Sequence, residues 1–216
     1  MPQGMRYDHV IWDWNGTLFD DTRLCVEVMR AMLSDRDLGS FDEDRYRRLF
    51  TFPVRDYYKR LGFDFERESF EKLAVEFIDG YMHGWRNCSL RSDALSVSDA
   101  LRERGLTQSI LSAAEQTLLT DAATHFGLTE RMTALIGIDD HHAVGKLDQG
   151  LAFLAELQVP VDRVLFVGDT VHDHEVALAM GVDSALVEGG HATRAKLEAT
   201  GVAVLPSLSA LLDWLE

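Results

Sequence analysis

Cysteine and long apolar runs are scarce in this 216-residue chain. Its two cysteines, Cys25 and Cys88, are too few for the disulfide framework of a small secreted protein. Residues 1–7 lack the apolar region of a signal peptide, and no uninterrupted apolar run reaches the roughly 20 residues of a membrane span. We therefore expect reduced thiols, no membrane partner and a cytoplasmic protein.

Positive charge is also in short supply, with 21 Lys and Arg residues against 36 Asp and Glu residues and a formal net charge of −15. Nucleic acid and anionic membranes are bound by clustered Lys and Arg side chains, so this balance argues against both as partners. Hydrophobic residues make up 46% of the chain, which predicts a sizeable buried core. The composition leaves the oligomeric state open.

Strand-like and helix-like segments alternate after about residue 90. Together with an apolar run at 10–12, strands are predicted at 107–112, 134–138, 163–167, 184–187 and 202–205. Helices are predicted between several of these strands, at 115–126, 147–157 and 173–180. This alternation predicts parallel strands joined by right-handed crossovers, and so a doubly wound parallel α/β fold.

The segment that follows the first strand has a different pattern. Helices are predicted at 22–38, 42–49, 54–61 and 66–85, and strand signals are absent there. The simplest interpretation is an inserted α-helical domain, residues 19–88, in a core made of residues 1–18 and 89–216. Because the insertion comes directly after the first strand, we expect it to cover the site as a lid.

Polar residues follow the ends of the predicted strands. Asp13 follows the first strand, Ser112 follows the next, Lys146 lies in a loop, and Asp169 and Asp173 follow the strand at 163–167. Ligands of open α/β sheets bind beyond the carboxyl ends of the strands. An acid, a hydroxyl, a lysine and an acid pair at such places fit a magnesium-dependent phosphoryl-transfer site.

Each member has a chemical role in that interpretation. Asp13 is the candidate nucleophile and a metal ligand, since carboxylates form aspartyl phosphates. Asp13, Asp169 and Asp173 would repel one another without a cation, and Mg²⁺ prefers such oxygen ligands. Lys146 can offset charge on the phosphate and on Asp13. The plainer interpretation of Asp173 is an acid in the first turn of a helix.

Phosphate oxygens need hydrogen-bond donors as well. The Ser112 hydroxyl and the Ala113 backbone N–H can supply them at the end of the second strand. Ser112 also fits as the N-cap of the helix predicted from Glu115, and this role is compatible with phosphate binding.

These motifs resemble those of the haloacid dehalogenase superfamily. The segments that carry the resemblance are Asp13-Trp14-Asn15-Gly16-Thr17-Leu18, Ser112, Lys146 and Gly168-Asp169-Thr170 with Asp173. The helical insertion resembles the small C1-type α-helical cap of phosphoglycolate-phosphatase-like members. The resemblance implies a Rossmann-like core, one Mg²⁺ and an aspartyl-phosphate intermediate.

The resemblance also implies a set of contacts. Mg²⁺ would meet Asp13, the backbone carbonyl of Asn15 and Asp169, with Asp173 in or near the shell. Phosphate would meet Ser112, Lys146 and backbone amides around Trp14. The expected function is therefore the hydrolysis of a small phosphorylated metabolite.

Asn15 departs from the pattern, since phosphatases of this superfamily usually have Asp there as general acid and base. An amide can neither give nor take that proton, and such help is typically worth about 10²–10⁴-fold in rate. Turnover could be slowed, directed to a good leaving group, or assisted by another group such as His172. One alternative is a non-hydrolytic sensor that binds phosphorylated metabolites or keeps its aspartyl phosphate. Another is a phosphonate hydrolase that uses a lysine of the insertion, Lys59 or Lys72.

The insertion is expected to choose the substrate. Arg55 could bind an anionic substrate tail bidentately, with Lys59 nearby, although an amphipathic helix with Arg55 outside explains the segment equally well. The cluster Asp139-Asp140-His141-His142 is interpreted as a solvated loop. His172 is expected to face solvent at a helix start, and His191 to be a loop residue.

Overall fold

The computed structural model describes residues 5–138 and 145–216. Its main sheet has six parallel strands: β1 (His9–Trp12), β4 (Thr107–Glu115), β5 (Ala134–Ile138), β6 (Val164–Gly168), β7 (Asp183–Val187) and β8 (Ala203–Leu205). Their spatial order is β5-β4-β1-β6-β7-β8. The chain winds outward from β1 in both directions, which confirms the predicted doubly wound α/β fold.

Both faces of the sheet are covered by helices. These are α5 (Ala94–Glu103), α6 (Gln116–His125), α7 (Lys146–Glu156), α8 (Val171–Met180), α9 (Arg194–Glu198) and α10 (Ala210–Trp214). Every residue of β1 and β6 is buried, as expected for central strands of a parallel sheet. Val10 and Trp12 belong to one apolar cluster and Ile11 to another, because successive side chains of a strand point to opposite faces.

Four helices lie along the chain between β1 and α5, and we call them the helical insert: α1 (Thr22–Ser34), α2 (Glu43–Leu49), α3 (Val54–Leu61) and α4 (Phe70–Gly84). The prediction at 54–61 matches α3, whereas α1 is shorter than predicted and α4 begins later. Asp37 has a positive φ of 54°, which turns the chain beyond α1, and the Ser69 side chain caps α4 by accepting from the Lys72 backbone N–H.

No strand was predicted within residues 19–88, but the structure has one at the start of this range. β2 (Phe19–Asp20) pairs in antiparallel fashion with β3 (Ser89–Leu90), so the chain enters and leaves the insert through adjacent strands. Two residues are too few to show an alternating pattern. Within the described ranges, the helices are all too short or too polar to cross a bilayer.

Candidate active site

Three carboxylates lie close together at the carboxyl ends of β1 and β6, in the middle of the sheet. Asp13 follows β1, Asp169 follows β6, and Asp173 lies in the first turn of α8. One oxygen of each lies within 4.8 Å of the others, and all three side chains are buried. β1 is the strand from which the chain winds in both directions, so its carboxyl end opens on the crevice where ligands of such sheets bind.

Lys146 is the cation of this group. It is the first residue of α7, not a loop residue as predicted, and only 5% of it is exposed. Its Nζ donates to Asp13 Oδ1 at 2.5 Å and to Asp173 Oδ1 at 2.6 Å. Burial opposes the charged ammonium, but Asp13 and Asp173 outweigh it and raise the pKa of Lys146. The lysine is therefore protonated at neutral pH.

The carboxylates still outnumber the lysine. Burial and the charge of Asp173 raise the pKa of Asp13 to about 8, against the lowering effect of Lys146. Burial and Asp173 also raise the pKa of Asp169. Asp173 differs, because Lys146 and hydrogen bonds from Thr170 overcome burial and lower its pKa. An all-oxygen cluster with this excess of negative charge fits a hard divalent cation.

Two glycines leave room for Asp169. A Cβ at Gly190 would lie 2.1 Å from Asp169 Oδ2, and one at Gly16, whose φ is +78°, would lie 2.4 Å from the same oxygen. The His191 backbone N–H donates to this oxygen at 2.5 Å. The Thr17 hydroxyl lies 3.0 Å from Asp13 Oδ2 and 3.1 Å from Asp169 Oδ1. Backbone and side chains thus fix both carboxylates.

Asp173 combines the two roles considered for it. Its Oδ2 accepts from the Thr170 hydroxyl at 2.7 Å and from the Thr170 backbone N–H at 2.9 Å, which completes a capping box at the start of α8. Its other oxygen accepts from Lys146. The acid that caps the helix therefore also holds the lysine against Asp13.

Ser112 and Ala113 lie opposite these acids and line the same cavity as Asp13 and Trp14. The strand does not end at Ser112 as expected, because β4 continues to Glu115 with a register shift after Leu111. Glu115, not Ser112, is the N-cap of α6. Ser112 Oγ instead accepts from the Ala114 backbone N–H at 3.0 Å.

Asn15 is held by Asp21 and Tyr81, neither of which was predicted as a site residue. Its Nδ2 donates to Asp21 Oδ2 at 2.7 Å and to the Tyr81 hydroxyl at 2.9 Å. The Tyr81 hydroxyl donates to the same Asp21 oxygen at 2.9 Å. Asp21 is almost completely buried, and its Oδ1 accepts from the Gly16 backbone N–H.

His191 completes this network and is more than the loop residue expected. It is 4% exposed, its Nε2 lies 3.1 Å from Asp21 Oδ1, and its Nδ1 lies 2.8 Å from the Tyr46 hydroxyl. Burial lowers the pKa of His191, but Asp21 outweighs burial and raises the pKa to about 9. The pair Gly189-Gly190 was the available signal, because it marks a close approach of backbone to side chain.

A cavity of about 800 Å³ opens above the carboxylates, between the sheet edge and the helical insert. Arg55 and Lys59 do not line it. Arg55 lies over the Phe65 ring at 4.9 Å and near Glu71, and Lys59 pairs with Asp56 at 3.2 Å on the surface. The structure therefore does not bring the two proposed substrate-tail cations to the carboxylates.

Lys72, the other lysine considered for a phosphonate hydrolase, pairs with Glu68 at 3.0 Å and is also absent from the cavity wall. His172 lines the cavity and stacks on Phe52 with 4.4 Å between ring centroids, while 31% of its side chain remains exposed. The Asp139-Asp140-His141-His142 cluster lies outside the described residues.

Most of the sequence is similar to known hydrolases. Residues 10–187 match the family described as haloacid dehalogenase-like hydrolase. An N-acetylmuramic acid 6-phosphate phosphatase of Pseudomonas putida is 29% identical over 194 residues, covering 87% of this chain and 85% of that protein.

Two solved structures share the fold. A haloacid dehalogenase-like family hydrolase from Streptococcus pneumoniae superposes with a TM-score of 0.85 at 14% identity, covering 98% of this chain and 99% of that one. Protein tyrosine kinase A of Mycobacterium tuberculosis has a TM-score of 0.81 at 23% identity, covering 97% and 98%. Proteins with this fold thus have differently named activities. The activity of this chain must therefore be argued from the residues of its site and not from the fold alone.

Proposed function

Since this chain belongs to the haloacid dehalogenase-like hydrolase family, we propose that it is a Mg²⁺-dependent phosphohydrolase of a small phosphorylated metabolite. The observation that carries the proposal is the convergence of Asp13, Asp169, Asp173 and Lys146 at the floor of one cavity. The name of the Pseudomonas putida relative, a sugar phosphate phosphatase, supports the same reaction class.

Asp13 acts as the nucleophile in this proposal. Its carboxylate oxygen forms a bond to phosphorus while the bond from phosphorus to the leaving oxygen breaks, which gives an aspartyl phosphate. Water then attacks phosphorus, releases inorganic phosphate and restores the carboxylate. Lys146 neutralises charge on Asp13 and on the phosphoryl oxygens, and the Ser112 hydroxyl and the Ala113 backbone N–H orient those oxygens.

Mg²⁺ fits the buried carboxylates because they carry more negative charge than Lys146 balances. Asp13, Asp169 and the Asn15 backbone carbonyl would hold the ion, with Asp173 in or near the shell. When bound, the ion supplies positive charge that stabilises the phosphoryl group in the transition state.

We further propose that the helical insert acts as the cap of a core formed by residues 1–18 and 89–216. Contacts between α2 and the loop after β7 support this role. Arg47 donates to the carbonyls of Gly189 and Gly190, and Tyr46 contacts His191. The cap therefore rests on the same loop whose backbone fixes Asp169.

We expect Mg²⁺ to switch on phosphate release and EDTA to abolish it. Purified protein is tested against a panel of phosphate esters that includes N-acetylmuramic acid 6-phosphate and an aryl phosphate, with Mg²⁺ and with EDTA. Circular dichroism in EDTA serves as the control that the fold persists. Equal release with EDTA would contradict the metal-dependent mechanism, and no release from any ester would contradict the phosphohydrolase.

The second candidate is a sensor that keeps its aspartyl phosphate, and the Asn15 amide favours it because an amide cannot activate water. Intact-protein mass spectrometry after incubation with a phosphodonor and Mg²⁺ separates the two functions. We expect continuous release of phosphate and little adduct from the enzyme. A stable single phosphate adduct without free phosphate would instead identify the sensor.

A further inference from the structure

The leaving group presents a problem at this site. In the proposed reaction, the oxygen that departs from phosphorus carries negative charge unless an acid protonates it. Asn15 stands where the superfamily usually has that acid. Its amide hydrogens are directed to Asp21 Oδ2 and to the Tyr81 hydroxyl, at 2.7 and 2.9 Å. Asn15 therefore has neither an acidic proton nor a free donor for the leaving oxygen.

The titratable neighbours of Asn15 are also engaged. Both oxygens of Asp21 have partners: Oδ2 accepts from Asn15 Nδ2 and from the Tyr81 hydroxyl, and Oδ1 accepts from the Gly16 backbone N–H and lies 3.1 Å from His191 Nε2. Both ring nitrogens of His191 have partners, Asp21 and Tyr46. The Tyr81 hydroxyl donates to Asp21. None of these three groups directs a proton into the cavity.

The cavity wall has an independent feature, its aromatic and aliphatic lining. Phe50, Phe52, Phe77 and Trp85 line it together with Ile78 and Met82. Ile78 is 48% exposed and Met82 is 44% exposed, although both are apolar and lie one turn apart on α4. Apolar side chains left open at a cavity wall are stabilised when an apolar part of a ligand covers them.

The charged groups that line the cavity apart from the carboxylates of the floor and Lys146 do not favour a second anion. Glu115 and Asp121 are among them, and the guanidinium of the described lining, that of Arg86, lies over the Trp85 ring at 4.3 Å. A leaving group without its own carboxylate avoids repulsion by these acids.

Building on the proposed phosphohydrolase, we propose that the substrate is an aryl phosphate monoester, a phosphorylated phenol whose ring occupies the aromatic cavity. The Asp13 carboxylate forms the bond to phosphorus, the bond from phosphorus to the aryl oxygen breaks, and the electron pair leaves on a phenolate. Water protonates the phenolate after it departs, so no protein acid is needed.

The chemistry of the two leaving-group classes separates them. A phenol has a pKa of about 10, whereas the pKa of a simple alcohol is much higher, so an alkoxide departs far less easily. Acyl phosphates also carry a good leaving group, but a small polar acyl group would leave the aromatic wall uncovered.

The test is a leaving-group series measured with Mg²⁺: substituted phenyl phosphates, 2-naphthyl phosphate, acetyl phosphate, and the alkyl esters glycerol 3-phosphate and N-acetylmuramic acid 6-phosphate. We expect kcat/KM to fall steeply as the leaving-group pKa rises, to be highest for the naphthyl ester among aryl esters of equal pKa, and to be at least about 10²-fold lower for the alkyl esters. An alkyl ester or acetyl phosphate as the best substrate would overturn the inference and leave the phosphohydrolase standing. Phosphate release from none of them would overturn both.

Variants test the apolar cavity wall and the missing acid separately. Met82→Gln should raise KM for 2-naphthyl phosphate several-fold, and Val75→Gln, an exposed site on the same helix that does not line the cavity, should leave KM unchanged. Asn15→Asp would place a second carboxylate beside Asp21, so the pair would share a proton, and the fall in kcat/KM with leaving-group pKa should become shallower. Equal KM values for wild type and Met82→Gln would overturn the assigned ring position. A shallow profile in the wild type that becomes steep in His172→Gln would identify His172 as an acid and overturn the inference.

Discussion

Replacing Asp13 with asparagine should reduce metal-dependent phosphate release by about 10⁴-fold or more. The amide oxygen is a poor nucleophile, and the variant also loses an anionic ligand for the metal. The measurement is kcat/KM for an aryl phosphate with saturating Mg²⁺. Because burial and Asp173 already disfavour the ionised form of Asp13, we expect the neutral amide to leave the melting temperature unchanged or higher without Mg²⁺.

The matched control is Asp148→Asn, the same chemical change at an exposed position in the first turn of α7, two residues from Lys146. We expect this variant to keep wild-type activity. If Asp13→Asn remains within tenfold of the wild type while its fold is intact, Asp13 is not the nucleophile. A loss of activity accompanied by unfolding would contradict the expected tolerance of the amide.

Much of the fold follows from local patterns. The strand at 134–138 and the helix at 54–61 agree with the structure residue for residue, because the pattern of each is complete within the element. The strand is a short apolar run, and the helix has Val54, Tyr57, Tyr58 and Leu61 at helical spacing after Pro53. Helix α5 was not predicted, although Ala94, Val97 and Leu101 carry a usable helical spacing and are buried. The two-residue strands β2 and β3 depend on each other across the helical insert and leave no local signal.

Some residues of the candidate site were likewise predictable from local patterns, and others were not. Asp13, Ser112 and Asp169 were predictable as residues near strand ends, since parallel strands bring their carboxyl ends to one edge. The contact between Asp21 and His191 joins residues 170 positions apart, and its chemistry becomes visible only when the loop after β7 folds over Gly16. Arg55 failed as a substrate contact because its guanidinium lies over an aromatic ring instead of in the cavity.

The hydrogen-bond network around Asn15 explains how an amide is accommodated at this position. Asp21 accepts hydrogen bonds from Asn15, Tyr81 and the Gly16 backbone N–H, and it faces His191. A neutral amide at position 15 satisfies this arrangement, whereas a carboxylate would face Asp21 at the distance where Asn15 Nδ2 now donates. The Asn15 amide therefore belongs to a network in which each of these groups has a partner.

Replacing Lys146 with methionine should lower both activity and stability. Methionine has a side chain of similar length, but it leaves Asp13 and Asp173 buried without the ammonium that both contact. Removal of one partner from a buried ion pair typically costs about 3–5 kcal/mol of stability. We expect a comparable loss in urea unfolding at pH 8 without Mg²⁺, and a loss of about 10³-fold in kcat/KM with Mg²⁺.

The pH dependence of that loss follows from the two carboxylates. Without Lys146, the pKa of Asp13 in the folded state, which is already raised, should rise further, and the pKa of Asp173 should rise above its unfolded value. At high pH both carboxyl groups are ionised in the folded protein, and the burial of these charges lowers the free energy of unfolding. As the pH falls through their raised pKa values, the groups take up protons and this loss of stability disappears. The stability difference from the wild type should therefore be smaller at pH 5.5 than at pH 8. Lys72→Met, which removes an exposed lysine paired with Glu68, should change stability little at either pH. A Lys146→Met loss that is equal at both pH values would contradict charge compensation by Lys146 and would indicate lost packing instead.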